Sequence, residues 1–280
     1  MVRLTVIIPA FKEYENLKTL IPEIHNSLNG ELHEIIVVDD NSQDGTKEMY
    51  ARLTKVITRT EERGLSSAVI RGIQECKTDA FVVMDADHQH PPSTLSSIAK
   101  ALQDHQLVVG SRYVPNGGTC GWTLKRRVVS KIASLLGKPL CGINDSSSGF
   151  FGTYKSLLEV DKLNPIGFKI GLDIYSKLRR HPKTEVPYIF LTRKYGDSKF
   201  TFKQVREYLK QLLKMYIELF NPKQWLKFCT VGASGTVINL SILITLTEGA
   251  GLHYVISAVI AIGVAMTSNF IWNKFWTFKT

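Results

Sequence analysis

The run Asp85-Ala86-Asp87-His88-Gln89-His90-Pro91-Pro92 carries the densest chemistry in the chain. It follows an apolar stretch, Ala80 to Met84, that reads as a buried strand. Two carboxylates two residues apart, then the Gln89 carboxamide, offer three oxygen ligands at a strand end. Hard cations such as Mg²⁺ or Mn²⁺ take such ligands and complete their shell on substrate phosphates. Asp85, Asp87 and Gln89 are therefore the candidate metal and diphosphate cluster, with Asp87 the direct ligand. His88 and His90 read as loop residues beside it. Pro91-Pro92 stops the strand and fixes the loop. The bland alternative is a polar turn, so the elements around the motif have to decide.

Those elements alternate. Leu4 to Ile8, Glu34 to Val38, Val56 to Thr58, Ala80 to Met84 and Leu107 to Val109 are short Val- and Ile-rich strands. Between them, Asn16 to Leu28 places apolar residues at helical spacing, and Gly64 to Glu75 reads as another helix. Asp44-Gly45-Thr46 reads as a turn opening a further helix. This order predicts an α/β fold whose mostly parallel sheet is covered by helices on both faces. Ligands of such sheets sit beyond the carboxyl ends of the strands. Pro9, Asp39-Asp40 and Asp85-Ala86-Asp87 all fall at those ends. One carboxylate of the Asp39-Asp40 pair is placed to accept from a base or a ribose hydroxyl.

The 280 residues carry a formal charge of +10, which suits anionic lipid, phosphate-bearing substrates or nucleic acid. No zinc-finger spacing or RNA-recognition signature is present, so nucleic acid is not the expected partner. Cys76, Cys120, Cys141 and Cys229 show no metal spacing. Gly117 to Gly121 reads as a mobile loop, and Trp122 to Leu136 as a basic amphipathic helix. A second such helix is expected from Thr201 to Phe220, suited to a membrane interface. Phe228 to Thr247 and Tyr254 to Trp272 contain no charged residue. Each matches the roughly 20 residues that cross a hydrocarbon core. Lys223, Lys227, Lys274 and Lys279 flank this hairpin on its outer sides, which predicts both ends and the large domain on the cytoplasmic side. Trp225, Trp272 and Trp276 fall at the expected interfaces. The expected organisation is a catalytic domain over 1–200, an amphipathic interface segment over 201–225 and two membrane helices over 226–280. Gly232-Ala233-Ser234-Gly235 would permit close helix packing or self-association.

Several motifs together resemble a known family. They are Pro9-Ala10-Phe11-Lys12-Glu13, Val38 to Thr46, Arg63-Gly64-Leu65, the Asp85 to Pro92 run, Gly110-Ser111-Arg112-Tyr113, Asp145 to Phe151, and Arg193 to Lys199. Their order and spacing resemble inverting glycosyltransferases of the GT-A fold, specifically polyprenyl-phosphate (dolichyl-phosphate) mannosyltransferases. The tail, with Val231 to Gly235 and Asn269 to Phe278, resembles the first half of a GtrA-like membrane domain that usually has four crossings. Two positions depart from the pattern: Lys12 stands where Asn is common, and Ser146 where Pro is common.

The resemblance implies a nucleotide-sugar donor, a polyprenyl or dolichyl phosphate acceptor and a Mg²⁺ or Mn²⁺ cofactor. It implies that Pro9, Phe11, Glu13, Asp39, Asp40, Arg63, Gly64 and Asp85 serve the nucleotide, with Lys199 on the diphosphate. Arg112, Arg126, Ser130 and Arg193 match the acceptor-phosphate residues, and Asp145 would orient the sugar or an arginine. Arg126 and Ser130 are four apart and share a helix face. A phosphate monoester has a second pKa near ~6. It is already a nucleophile at neutral pH, so no strong general base is required. Asp87, Arg112 and Arg193 are the expected catalytic groups of a single inverting displacement. The leading expectation is mannose transfer from GDP-mannose, with glucose transfer from UDP-glucose and a non-catalytic membrane scaffold as alternatives.

Overall fold

The computed structural model describes residues 2–278 apart from 29, 164, 165, 168 and 196–201, with the backbone alone at 202 and 203. Two compact units result, Met1–Leu213 and Lys214–Thr280. In chain order the first holds β1 (Leu4–Ala10), α1 (Tyr14–Ser27), β2 (Leu32–Asp39), α2 (Thr46–Tyr50), β3 (Lys55–Thr58), α3 (Leu65–Glu75), β4 (Ala80–Val83) and α4 (Thr94–Ala101). It continues with β5 (Leu107–Ser111), β6 (Gly118–Thr119), α5 (Leu124–Cys141), β7 (Phe151–Tyr154), α6 (Ile170–Lys177), β8 (Lys183–Pro187) and β9 (Ile189–Phe190). Helix α7 (Phe202–Phe220) straddles the boundary, and the second unit adds α8 (Pro222–Ile244) and α9 (Tyr254–Trp272).

Seven strands form one sheet in the order β3-β2-β1-β4-β7-β5-β8. All neighbours are parallel except β7, which runs antiparallel to both β4 and β5. The central strands are apolar on both faces because helices cover both. Leu4, Val6 and Ile8 pack with Leu17, Leu20 and Ile24 of α1 and Ile98 of α4. On the opposite face α3 comes so close that a Cβ on Gly72 would lie 2.3 Å from Ile7 Cγ2. Only a glycine fits there.

The expected strand end at Pro9 moves, since β1 runs on to Ala10 and pairs Pro9 with Val38. Pairing with β4 has already stopped at Ile7 and Val83. The ring therefore faces the side where no ladder partner is left, which is where a strand tolerates proline. Gly117 to Gly121 is not the free loop expected from its glycines. Gly118 and Thr119 form β6 and pair with β9, and Cys120 N–H donates to the Phe190 carbonyl at 2.8 Å.

In the second unit, the apolar segments Pro222–Gly249 and Tyr254–Thr277 run 28 and 24 helical residues, long enough to cross a bilayer. Gly235 of α8 lies against α9, where a Cβ would meet Asn269 Oδ1 at 2.3 Å. The small-residue run thus serves pairing within the hairpin at Gly235, while a Cβ on Gly232 would meet nothing within 4 Å.

Candidate functional site

The carboxyl ends of β1 and β2 open into a cleft of about 820 Å³ whose walls include Phe11, Glu13, Asn41, Gln43, Arg63 and Arg193. Lys12, Asn41 and Gln43 hold left-handed backbone with φ of 58°, 55° and 53°. Such residues cost energy and cluster at functional sites. Hydrogen bonds hold them there. Lys12 N–H donates to Ser42 Oγ at 2.7 Å, Ser42 N–H donates to Asp39 Oδ2 at 3.0 Å, and Ser42 Oγ–H donates to Asp39 Oδ1. Asp40 accepts from Arg59 Nε and from Gly64 N–H, both at 2.8 Å. Arg59 Nη2 closes the ring on the Gly64 carbonyl at 3.0 Å. The two aspartates at the end of β2 thus stitch three loops together. The Arg63 guanidinium lies 5.8 Å from the Phe11 ring centre and the Lys12 ammonium 5.7 Å, giving an aromatic face between cations. Asp44 accepts from Thr46 N–H at 3.1 Å and Thr46 Oγ1 at 2.6 Å, the turn and helix start expected of it.

The acid loop follows β4. Arg193 ties it to the start of α1 by donating from Nε to Asp87 Oδ2 at 3.0 Å and from Nη2 to Glu13 Oε1 at 3.1 Å. Gln89 N–H donates to Asp87 Oδ1 at 3.1 Å, and Gln89 Nε2 reaches the Leu191 carbonyl at 3.4 Å. The Asp85 carboxylate accepts no hydrogen bond among the described residues, and a third of its side chain is exposed. Burial raises the pKa of Asp85. Burial and then the charge of Asp85 raise that of Asp87. His90 is neutral: burial pushes it down to about 4. Its Nδ1 accepts the Asp85 N–H at 3.0 Å, and its ring stacks on Phe150 at 4.8 Å. His88, at φ 61°, is fixed to α1 through Thr19 Oγ1 at 2.9 Å and the Asn16 carbonyl at 3.1 Å. Both histidines hold the loop.

Next to it, beyond β5, lies a cationic centre. Arg112 grips Asp145 with Nε at 2.7 Å and Nη2 at 2.6 Å, and its own N–H donates to Asp145 Oδ2 at 2.9 Å. Burial alone would raise Asp145, but the Arg112 guanidinium holds it below the usual carboxylate range. Asp145 therefore fixes the direction of the Arg112 guanidinium. Trp122 lies between two guanidiniums, 4.2 Å from Arg126 and 5.4 Å from Arg112. Burial, then the Arg112 charge, lowers the pKa of Arg126. Ser130 accepts from Tyr113 Oη at 2.8 Å, one turn along α5 from Arg126. The acidic and cationic halves share one wall. Arg112 lies 5.5 Å from the Phe190 ring centre, Phe190 lies 5.8 Å from the His90 ring, and His90 Nε2 lies 3.8 Å from Asp85 Oδ2.

Residues 5–160 match the family described as Glycosyl transferase family 2, and residues 227–280 match the GtrA/DPMS transmembrane domain. The chain is 40% identical over 287 residues to the dolichol-phosphate mannosyltransferase of Pyrococcus furiosus, covering 99% of this chain and 81% of that one. The chain belongs to the dolichol-phosphate mannosyltransferase family. The Saccharomyces cerevisiae dolichol-phosphate mannosyltransferase is also 40% identical, over 244 residues, covering 81% of this chain and 91% of its own length. The fold is also that of glucosyl-3-phosphoglycerate synthase from Mycobacterium tuberculosis, at a TM-score of 0.57, 20% identity and 78% of each chain. That protein was crystallised with Mn²⁺, UDP and phosphoglyceric acid. The chain is thus a GT-A hexosyltransferase, as its motifs led us to expect.

The acid pair of this transferase fits a divalent cation. Two neighbouring carboxylates raise each other's cost of ionisation, and an ion of opposite charge relieves it. Among the described residues no group of three or more His, Cys, Asp or Glu forms a ready cage. A cation here would take remaining ligands from substrate and water, the habit of Mg²⁺. Lys199 lies outside the described residues. Two residues were missed from sequence. Arg59 follows β3, so the rule that pointed to Asp39 and Asp85 would also have found it. Lys169 precedes α6 and reaches the Arg112 loop only through tertiary packing. Its Nζ donates to the Ser147 carbonyl at 2.6 Å, and burial, then Arg112, pushes it down to about 8.

Proposed function

We propose that this transferase moves mannose from GDP-mannose to a polyprenyl (dolichyl) phosphate with inversion, giving a lipid-phosphate sugar. The names of its relatives support the acceptor class. The observation that carries the reading is the shared wall, with an acid pair at one end and two guanidiniums at the other. A diphosphate leaving group and a phosphate nucleophile need those two environments side by side.

In this scheme the nucleotide lies in the cleft beside Phe11, Glu13, Arg63 and Gly64. Asp39 and Asp40 shape its walls through the hydrogen bonds they accept from Ser42, Arg59 and Gly64. Asp85, Asp87 and Gln89 would hold Mg²⁺ or Mn²⁺, which when bound neutralises charge on the departing diphosphate. Arg193 is already aimed there by Glu13 and Asp87. Arg126 and Ser130 receive the acceptor phosphate, and Asp145 fixes the fork of Arg112 toward it. Guanidiniums locked by packing place the phosphate in line without reorganisation.

The acceptor arrives from the bilayer. Helix α5 exposes Leu124, Val128, Ile132 and Leu135, an apolar stripe beside Arg126 and Ser130. Helix α7 exposes Leu209, Leu213, Ile217 and Phe220. Apolar faces with basic flanks suit a membrane interface. We place the catalytic domain (1–200) on the cytoplasmic side, with 201–225 on the interface and 226–280 across the bilayer. Outward-facing Gly232 is the position we assign to contact between copies.

Membranes containing the protein are given labelled GDP-mannose, UDP-glucose or other nucleotide sugars with a polyprenyl phosphate. The expected result is a mannosyl lipid from GDP-mannose alone. Lipid product from UDP-glucose alone would replace the donor assignment, and none from any donor would remove the acceptor assignment.

A further inference from the structure

Lys169 has no part in the scheme above. Its ammonium hangs on the Ser147 carbonyl, and the Ser147 hydroxyl accepts from Arg112 Nη2 at 2.8 Å. Its backbone carbonyl accepts from Nε2 of Gln211 at 3.1 Å, a residue of α7 that is 2% exposed. The loop that aims Arg112 and the helix that carries the interface stripe thus both hold this one lysine. Arg112, Asp145 and Asp85 are the charges that act on it. For Asp85 in turn, Lys169 is the strongest opposing charge, ahead of Arg193 and Arg112. The loop that holds the lysine spans that distance in space: Ser147 touches Arg112, and a Cβ on Gly149, two residues on, would lie 4.0 Å from Asp85 Oδ1.

That place matters if both substrates are phosphates, so the inference rests on the proposed function. An acceptor oxygen forms its bond to the anomeric carbon with its own lone pair. The bond from that carbon to the diphosphate oxygen breaks, and its electron pair leaves on the nucleoside diphosphate. No proton moves. Two anions have to close on one carbon, and their repulsion opposes the step. We propose that Lys169 is a catalytic residue that contacts the acceptor phosphate on its donor side, so that a positive charge stands between the two phosphate groups as they meet. Lysine suits this as a compact point charge on a flexible stem, held near Arg112 through Ser147.

Water as acceptor brings no second anion, so donor hydrolysis provides the control. Full-length protein in detergent is assayed for transfer to polyprenyl phosphate and, without lipid, for donor hydrolysis. In Lys169→Met both rates fall, but transfer falls at least tenfold further than hydrolysis. Lys169→Arg recovers most of the transfer. Gln211→Met keeps the ammonium and loosens its anchor, and transfer should again fall more than hydrolysis, by at least threefold. Equal losses of the two rates in the Met variants would overturn the proposal while leaving the enzyme reading intact. Wild-type protein that hydrolyses donor but makes no lipid product would instead remove the reading beneath it. Should Lys169→Met not fold, the Gln211→Met ratio decides.

Discussion

The Arg112–Asp145 pair is the most consequential electrostatic feature of the site. Asp145 is fully buried and accepts three hydrogen bonds from Arg112. The Arg112 side chain is 6% exposed, so it has no access to water if its partner is neutralised. Asp145→Asn keeps the volume and strands the guanidinium. Breaking a buried pair from one side costs about 3–5 kcal/mol. In a unit of this size each kcal/mol moves the melting point by about 2–4 °C, so a fall of roughly 6–20 °C is expected. A thiol-reactive fluorophore can follow it. Exposed Cys120 and Cys229 react at once, whereas Cys76 and Cys141, buried in the first unit, react only on unfolding. Pairing the change with Arg112→Met removes the stranded charge. The double variant should then be more stable than the two single losses added, by at least about 2 kcal/mol. A fall below 2 °C in Asp145→Asn, or strict additivity, would refute the reasoning.

Asp87→Asn should lower lipid-linked product formation by about 100-fold or more while leaving thiol protection intact, because it weakens the hold on the cation that would neutralise the departing diphosphate; wild-type turnover in that variant would place the chemistry elsewhere. Lys12→Asn should raise the melting point by about 1–4 °C, since asparagine tolerates the left-handed backbone that lysine is forced into at φ 58°. An unchanged or lower value would mean that the turn is not strained. His90 sits at about 4 because of its burial, against an ordinary ~6.5. The unfolded chain binds a proton that the folded site refuses. Its contribution is therefore complete above pH ~6.5, is lost as pH falls toward 4 and is flat below, over a range of about 3 kcal/mol. Melting points of wild type and His90→Phe, taken from pH 7.5 to 4.5 in chelator, should converge as pH falls; parallel curves would contradict this.

Much of the fold was legible because β-branched runs and helical spacing are local signals. All five expected strands exist, each within two residues at either end. The acid motif and the Asp39-Asp40 step were placed at strand ends by the same local reasoning, whereas Arg126 and Ser130 were marked by the family resemblance, with spacing adding only that they share a helix face. The antiparallel insertion of β7 was not, since Phe151 to Tyr154 carries no mark of direction. The pinning of Gly118 and Thr119 was equally hidden, because β6 depends on β9 some seventy residues on.

Sequence alone determined which chemical groups lie at strand ends and which helices are apolar enough for a bilayer. Residue type and spacing suffice for that, since periodicity follows from backbone geometry. Only the tertiary structure decided how the charges are used. Asp145 belongs to Arg112, Asp40 to Arg59, and Lys169 is held by Ser147 and Gln211. Ion pairing acts through space and burial, and partners 33 or 19 residues apart leave no trace in local pattern.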